Sequence, residues 1–365
     1  MRRVLSLLFA FAILAIPLAE QSAAQFSRNW EFSENVNAGQ TPIDISDARA
    51  LAYGSVPETQ GGDRVGRLFV SRGAGSNVVL LDPASGDSLG TLNTDNVAGG
   101  ATRDLQDIEV TPDGVIIACN EVNNPFAGSL GEFKCYRWDS LDDTATEVLS
   151  FTPPDQNGDG ANDQIGRTIG VYGQASDNTL TIMTASSTYQ ASGSLDNVYR
   201  FTTSDNGMSF SQETVDRTGD ESTDNLNGVA PLGPGSSQFV YNAGATLPKL
   251  YAGDGSFQET IDGATSISAF TNATRYLEVG SREFIAAFNY EASGNGSHAT
   301  VVEITGGFTQ AVDVGSTPSM GGAPPNGAGD VGYRINGDGT ATFFVLSADT
   351  GIGSYTTSNP LPVEM

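Results

Sequence analysis

The chain has 365 residues, of which 38% are hydrophobic, 8% aromatic and 16% charged, with 44 glycines and 16 prolines. That is too apolar and aromatic for disorder, and it lacks the Ala/Glu/Lys/Leu excess of a long helical protein. Forty-three acids against 17 bases give a formal charge of −26, which argues against nucleic-acid backbone or an anionic membrane surface as partner. The single histidine, His298, excludes multi-histidine metal sites. Any chemistry must run on carboxylates, hydroxyls or a bound cation.

In chain order, Arg2 and Arg3 precede an apolar run from Val4 to Leu18, and Ser22-Ala23-Ala24 offers small residues at the cleavage positions. The pattern predicts a signal peptide over 1–24 and a mature chain from Gln25. The run is shorter than the roughly 20 residues needed to span a bilayer and is interrupted by Pro17. No later segment is long and apolar enough to cross. The expected location is therefore secreted or cell-surface, outside the reducing cytosol.

From Asp44 onward, short β-type runs alternate with Gly/Asp/Asn/Ser/Pro clusters, without a convincing helical period. Clear strands include Arg67–Ser71, Asn77–Asp82, Val115–Asn120, Phe133–Trp138, Thr179–Thr184, Asn197–Thr202 and Thr340–Leu346. Pro112-Asp113-Gly114 and Asn336-Gly337-Asp338-Gly339 supply turn chemistry, with glycine at positions that need a positive φ. Cys119 and Cys135 are the only cysteines, each in a strand-like run. Antiparallel neighbours would let them form a disulfide; two buried thiols on opposite faces are the alternative.

The strands recur in groups of four, starting near Asp44, Leu105, Gly166, Asn227, Ser266 and Gly329. A spacing of roughly 40 to 60 residues is that of a propeller blade. The last group has three strands, Asp330–Ile335, Thr340–Leu346 and Gly351–Tyr355, and the amino end has one to spare, Asn29–Ser33. If that strand completes the last blade, the ring closes and its most exposed edge disappears. The expected fold is all-β: a six-bladed β-propeller of four-stranded antiparallel blades over 25–358, closed by an N-terminal strand. A pair of β-sandwiches is the alternative. Residues 359–365, Asn-Pro-Leu-Pro-Val-Glu-Met, form a Pro-rich tail that cannot continue a central strand.

Gly66–Arg72, Val79–Leu92, Asp107–Val115, Phe133–Trp138 and Asp349–Gly353 resemble segments of a family of exported bacterial β-propellers known only as a domain of unknown function. More loosely they are similar to the repeats of lactonase-like and surface-layer-like propellers. The resemblance implies a fold and carries no catalytic residues. The tail is similar to the linker that precedes the sorting domain of many type IX-secreted Bacteroidetes-like proteins.

The sharpest local motif is Asp155-Gln-Asn157-Gly-Asp159-Gly160-Ala161-Asn-Asp163. Oxygen side chains at positions one, three and five, glycine at six and an acid at nine match the start of a calcium loop. Asp155, Asn157, Asp159, the Ala161 carbonyl and Asp163 are the expected ligands of a structural Ca2+, in the manner of dockerin and thrombospondin type repeats. The position of the bidentate acid holds Gly166, and a polar turn between blades is the simpler alternative. Gly86-Asp-Ser88-Leu-Gly90 has a nucleophile-elbow spelling and Gly327–Gly332 a dinucleotide-loop spelling, but both sit among strands, where neither works. His298 lies in a loop-like composition and is expected to be solvated.

Acids also gather around the second blade, at Asp104, Asp107, Glu109 and Glu121. Lysine is limited to Lys134 and Lys249 against 15 arginines, and the acids are 27 Asp and 16 Glu. Such an acidic surface stays hydrated in concentrated salt, and a halophilic source is expected. Together these readings point to a monomeric binding or surface-display module with a protein or glycan ligand. The competing reading is a hydrolase or lactonase using carboxylates and a cation in the central channel. Three or more carboxyl or amide oxygens converging at the ring axis would favour that second reading.

Overall fold

The computed structural model describes residues 26–361, apart from 34, 37–42, 73–76, 99–102, 123–130, 156–162, 187–196, 220–226, 234–236, 245, 263–264, 270, 291–295, 323 and 325–327. Those residues form six four-stranded antiparallel sheets, consecutive in sequence except at the seam. The first strands of the blades are β2 (Ala48–Pro57), β6 (Arg103–Val110), β10 (Gly170–Tyr172), β14 (Asn227–Leu232), β18 (Thr271–Val279) and β22 (Gly329–Ile335). They adjoin one another around the axis. The protein is a six-bladed β-propeller. A single 3-10 turn, Phe308–Gln310, is the only helical element among the described residues.

Burial explains why the strands read as they do. In blade two, β7 (Ile116–Glu121) is buried along its whole length, as is β23 (Ala341–Ser347) in blade six. Both are covered on two faces by neighbouring blades, so a largely apolar run is what the position demands, with the buried Asn120 and Glu121 at the end of β7 finding polar partners. The outermost strand of blade one, β5 (Ser88–Thr91), is exposed throughout. Six apolar clusters hold the ring together, one per blade interface. The first packs Ala52, Phe69 and Val78 of blade one against Leu105, Ile108 and Trp138 of blade two.

Near the axis the blades come closer than side chains allow. A Cβ on Gly54 would lie 2.2 Å from Val110 of the next blade, and one on Gly170 would lie 2.4 Å from the Val229 carbonyl oxygen. The hairpin glycines expected from sequence are also in place, Gly114 at φ 84° and Gly339 at φ 83°.

The ring closes as the strand count predicted. β1 (Phe26–Ser33) pairs antiparallel with β24 (Gly351–Thr357), from Phe26 opposite Thr357 to Ser33 opposite Gly351. Trp30 seals the seam by packing with Leu51 and Leu346 and by donating from Nε1 to the Pro83 carbonyl at 3.0 Å. Buried Glu31 accepts from the Tyr355 hydroxyl at 2.9 Å and pairs with Arg28 at 2.8 Å. Leu361 of the tail is buried and donates its amide to the Gly339 carbonyl at 2.9 Å.

Cys119 on β7 and Cys135 on β8 (Phe133–Trp138) are direct partners across the ladder, with a Cα separation of 4.2 Å and their sulfurs joined as a disulfide. The expected signal peptide, 1–24, lies outside the described residues. Among those described, no helix is long and apolar enough to cross a membrane.

Candidate functional site: the axial cluster and its cavity

Alternation along β6 puts Asp107 and Glu109 on one side of the strand, and both reach the ring axis. There they meet Arg275 from β18 and Asp330 from β22. Arg275 donates from Nη2 to Asp330 Oδ2 at 2.7 Å and from Nη1 to the Ile169 carbonyl at 3.3 Å. It also lies 3.6 Å from Asp107 and 2.6 Å from Glu109. One guanidinium from blade five therefore ties blades two, three and six across the channel. Three carboxyls do converge on the axis, and the cation between them is the protein's own arginine.

The three acids are not alike. Asp107 accepts from its neighbour Ile108 at 2.7 Å and from Ile169, at the start of the next blade, at 2.6 Å. Asp330 does the same with Val331 at 2.7 Å and Leu51 of the next blade at 3.0 Å. Each stitches its inner strand to its neighbour through main-chain N–H groups. Glu109 has no such donor. Its Oε1 is buried beside the Arg275 Nε without hydrogen-bond geometry, while its side chain keeps 15% exposure on the wall of a cavity.

Electrostatics follow from three acids sharing one base in a dry core. Burial pushes Asp330 up to about 7 against the opposing pull of Arg275. Burial raises Asp107 as well, again resisted by Arg275. Burial pushes Glu109 well above the carboxylate range, with Asp107 and Asp330 adding to it and Arg275 resisting. For Arg275, burial alone would disfavour the charge, and Asp330, Glu109 and Asp107 more than reverse that. The guanidinium stays charged, and the three acids titrate as a coupled group.

The cavity has a volume of about 750 Å3 and is formed by the ends of the inner strands and their hairpins. Tyr53, Tyr172, Tyr276 and Tyr333 line it, with Arg64, Arg334, Asp177 and Glu278 among the polar groups. The rings of Tyr172 and Tyr276 lie 6.1 Å apart, tilted by 46°. The Tyr333 hydroxyl donates to the Tyr276 carbonyl at 3.2 Å. The Tyr276 hydroxyl lies within hydrogen-bond distance of Glu278, at 2.7 Å, and Glu283, at 2.6 Å. Burial raises the Tyr172, Tyr276 and Tyr333 hydroxyls above the ordinary phenol range, so all three are neutral donors.

The other sequence candidates lie elsewhere. Of the calcium loop, Asn157, Asp159 and Ala161 fall outside the described residues. Asp155 is exposed, whereas Asp163 is buried, accepts from the Tyr199 hydroxyl at 3.2 Å and donates its amide to Pro154 at 3.0 Å. Among the described residues no three metal-ligating side chains are grouped to hold a metal. Glu121 is buried with Gln164 at 2.8 Å and Arg103 at 3.6 Å, away from the axial trio. Ser88 opens β5 as part of a hairpin. His298 departs from the expected solvated loop: it begins β20 (His298–Glu303), half-buried, with Nδ1 3.0 Å from the Gly296 carbonyl oxygen.

Sequence reading named Asp107 and Glu109 but missed Arg275, Asp330 and the tyrosines. A signal was present: Asp107-Ile108 and Asp330-Val331 are the same dipeptide type on the first strand of two blades, and both make the same stitch.

No family model matches the chain, and no curated protein matches it. Among solved structures, a DUF4623 family protein from Bacteroides eggerthii is similar at a TM-score of 0.65 and 12% identity, over 91% of this chain and 75% of that one. A protein of unknown function from Dyadobacter fermentans is similar at 0.54 and 10%, over 91% and 99%. An α-L-arabinanase from Penicillium chrysogenum, complexed with arabinobiose, is similar at 0.53 and 10%, over 85% and 93%. At such identities the likeness is one of fold.

Proposed function

We propose that the protein is an exported or surface-displayed binding module whose axial cavity takes a saccharide. The observation that carries this reading is the tyrosine-lined cavity of about 750 Å3. Its size lies within the range of small-ligand sites, and aromatic faces with a few placed polar groups suit a sugar's mixed surface. That a propeller of similar fold holds arabinobiose supports a saccharide by fold-level analogy.

Binding is favoured over hydrolysis because two of the three axial acids are committed. A glycosidase needs two carboxyls free to flank the scissile bond. Here Asp107 and Asp330 are capped by main-chain donors, and Asp330 also by Arg275, leaving Glu109 alone of the axial three on the cavity wall.

The test is a glycan array followed by calorimetry on wild type and Tyr172→Ala. The expected result is saccharide binding that Tyr172→Ala weakens by about tenfold, from loss of a stacking face. Binding indifferent to Tyr172 would place the site elsewhere. Release of reducing sugar by the wild type would replace the binding reading with a hydrolase.

A further inference from the structure

Resting on that reading, we propose that the cavity selects saccharides bearing a free amine, with Glu109 as the counter-ion of the ammonium group. The argument starts from which charges around the cavity are already spent. Arg64 donates to the main-chain carbonyls of Ser55, at 2.8 Å through Nε, and Pro112, at 2.9 Å. Arg334 donates to Asn336 Oδ1 at 2.9 Å and lies 5.6 Å over the Tyr53 ring. Arg275 is shared among three carboxyls. Every arginine that lines the cavity is thus engaged, so an anionic guest finds no ready partner.

The acids present the opposite picture. Three carboxyls face one guanidinium at the floor of the cavity, so acidic groups outnumber bases there. Glu109 is the member of that trio that lines the cavity, and it has no main-chain donor: its Oε1 meets only the Arg275 guanidinium, which it shares with Asp107 and Asp330. An ammonium group brings the donors that carboxyl lacks and the charge the trio is short of. Aromatic faces at Tyr172 and Tyr276 add a second attraction, which a neutral amide does not share.

Occupancy is linked to a proton. Acting on Glu109 are Arg275 of β18, Asp330 of β22 and Asp107 of its own strand; Tyr333 of β22 lies within electrostatic reach, and Glu278 and Tyr172 line the same cavity. Burial shifts Glu109 towards its protonated form, with Asp107 and Asp330 adding to it, and an entering ammonium favours the ionised form. Affinity for the amine therefore rises with pH while the amine itself stays protonated.

The experiment compares a glucosamine oligomer with its N-acetylated counterpart by calorimetry at pH 5 to 7, at low salt and at 1 M salt. Wild type is expected to prefer the free amine by about tenfold, more strongly towards pH 7, and to retain a preference at 1 M salt, where the general field of the acidic surface is screened. Glu109→Gln, similar in shape, is expected to abolish both the preference and its pH dependence while leaving the melting transition in place. Equal or tighter binding of the acetylated oligomer overturns the inference but leaves the saccharide site standing. So does a preference that survives Glu109→Gln, which would assign it to surface charge. Binding of neither oligomer also overturns the inference, and the glycan array then decides the broader reading separately.

Discussion

Between blades, the propeller is held by apolar packing: Phe69, Leu105, Ile108 and Trp138 at one interface, and Phe284, Phe288, Phe343 and Tyr355 at another. Along the axis, a short distance inward, the same blades meet through Asp107, Glu109, Asp330 and Arg275. The difference teaches what each kind of contact supplies. Apolar packing scales with area and tolerates exchange among residues of similar volume. The axial cluster adds less net stability, because desolvation consumes much of its attraction, but it links the inner strands of blades two, three, five and six through directional contacts. It also leaves one carboxyl without a main-chain donor, and that residue borders the cavity.

The largest effect that would break this comparison is removal of the shared cation. Arg275→Met is expected to cost about 3–5 kcal/mol in chemical denaturation at neutral pH, by stranding buried carboxyls. The loss should shrink towards pH 4, where protons replace the guanidinium. An equal loss at both pH values would mean that packing, not charge, is what Arg275 contributes.

Next in size is the disulfide between middle strands of blade two. Sixteen positions separate Cys119 and Cys135. Closing a loop of that length stabilises by about 3 kcal/mol in the chain-entropy model. Reduction, or Cys119→Ser with Cys135→Ser, is expected to lower the Tm without altering saccharide binding, since the pair lies in an inter-blade core. Loss of binding together with Tm would show that core and axis are not separable.

Asp330 sharpens the comparison through pH. Its affinity for a proton is higher in the folded chain, with a midpoint of about 7, than in the unfolded one, where an aspartate titrates near 3.9. Its contribution is complete below the unfolded value and is lost as pH rises through the folded one. Stability attributable to Asp330 therefore declines from about pH 4 to about pH 7. Asp330→Asn should flatten that slope in urea titrations, and an unchanged slope would assign the titration to another group.

The smallest expected effect concerns the 155–163 segment. If it holds calcium, chelator in high salt lowers the Tm by a few degrees. An unchanged Tm would leave Asp163 serving only its contacts with Tyr199 and Pro154.

The fold was legible because its signals are local. Four short strands between glycine turns, repeated six times with one strand displaced to the amino end, state a closed ring without any knowledge of contacts. The axial site was legible only in part. Asp107 and Glu109 stood out as acids beside an apolar strand, but nothing near them in sequence announces Arg275, which lies 168 positions from Asp107. Asp330 and the cavity tyrosines are likewise scattered among blades one, three, five and six.

By itself, then, the sequence determined the all-β class, the six-fold grouping, the closing strand and the hairpin glycines, since period and turn chemistry act over a few residues. Tertiary structure alone decided that an arginine would sit among the axial carboxyls, that Asp107 and Asp330 would be spent on stitching blades, and that Glu109 would be left facing a cavity. Those outcomes depend on how inner strands from different blades align around one axis, and in a dry interior that alignment settles which charges are neutralised and which stay available.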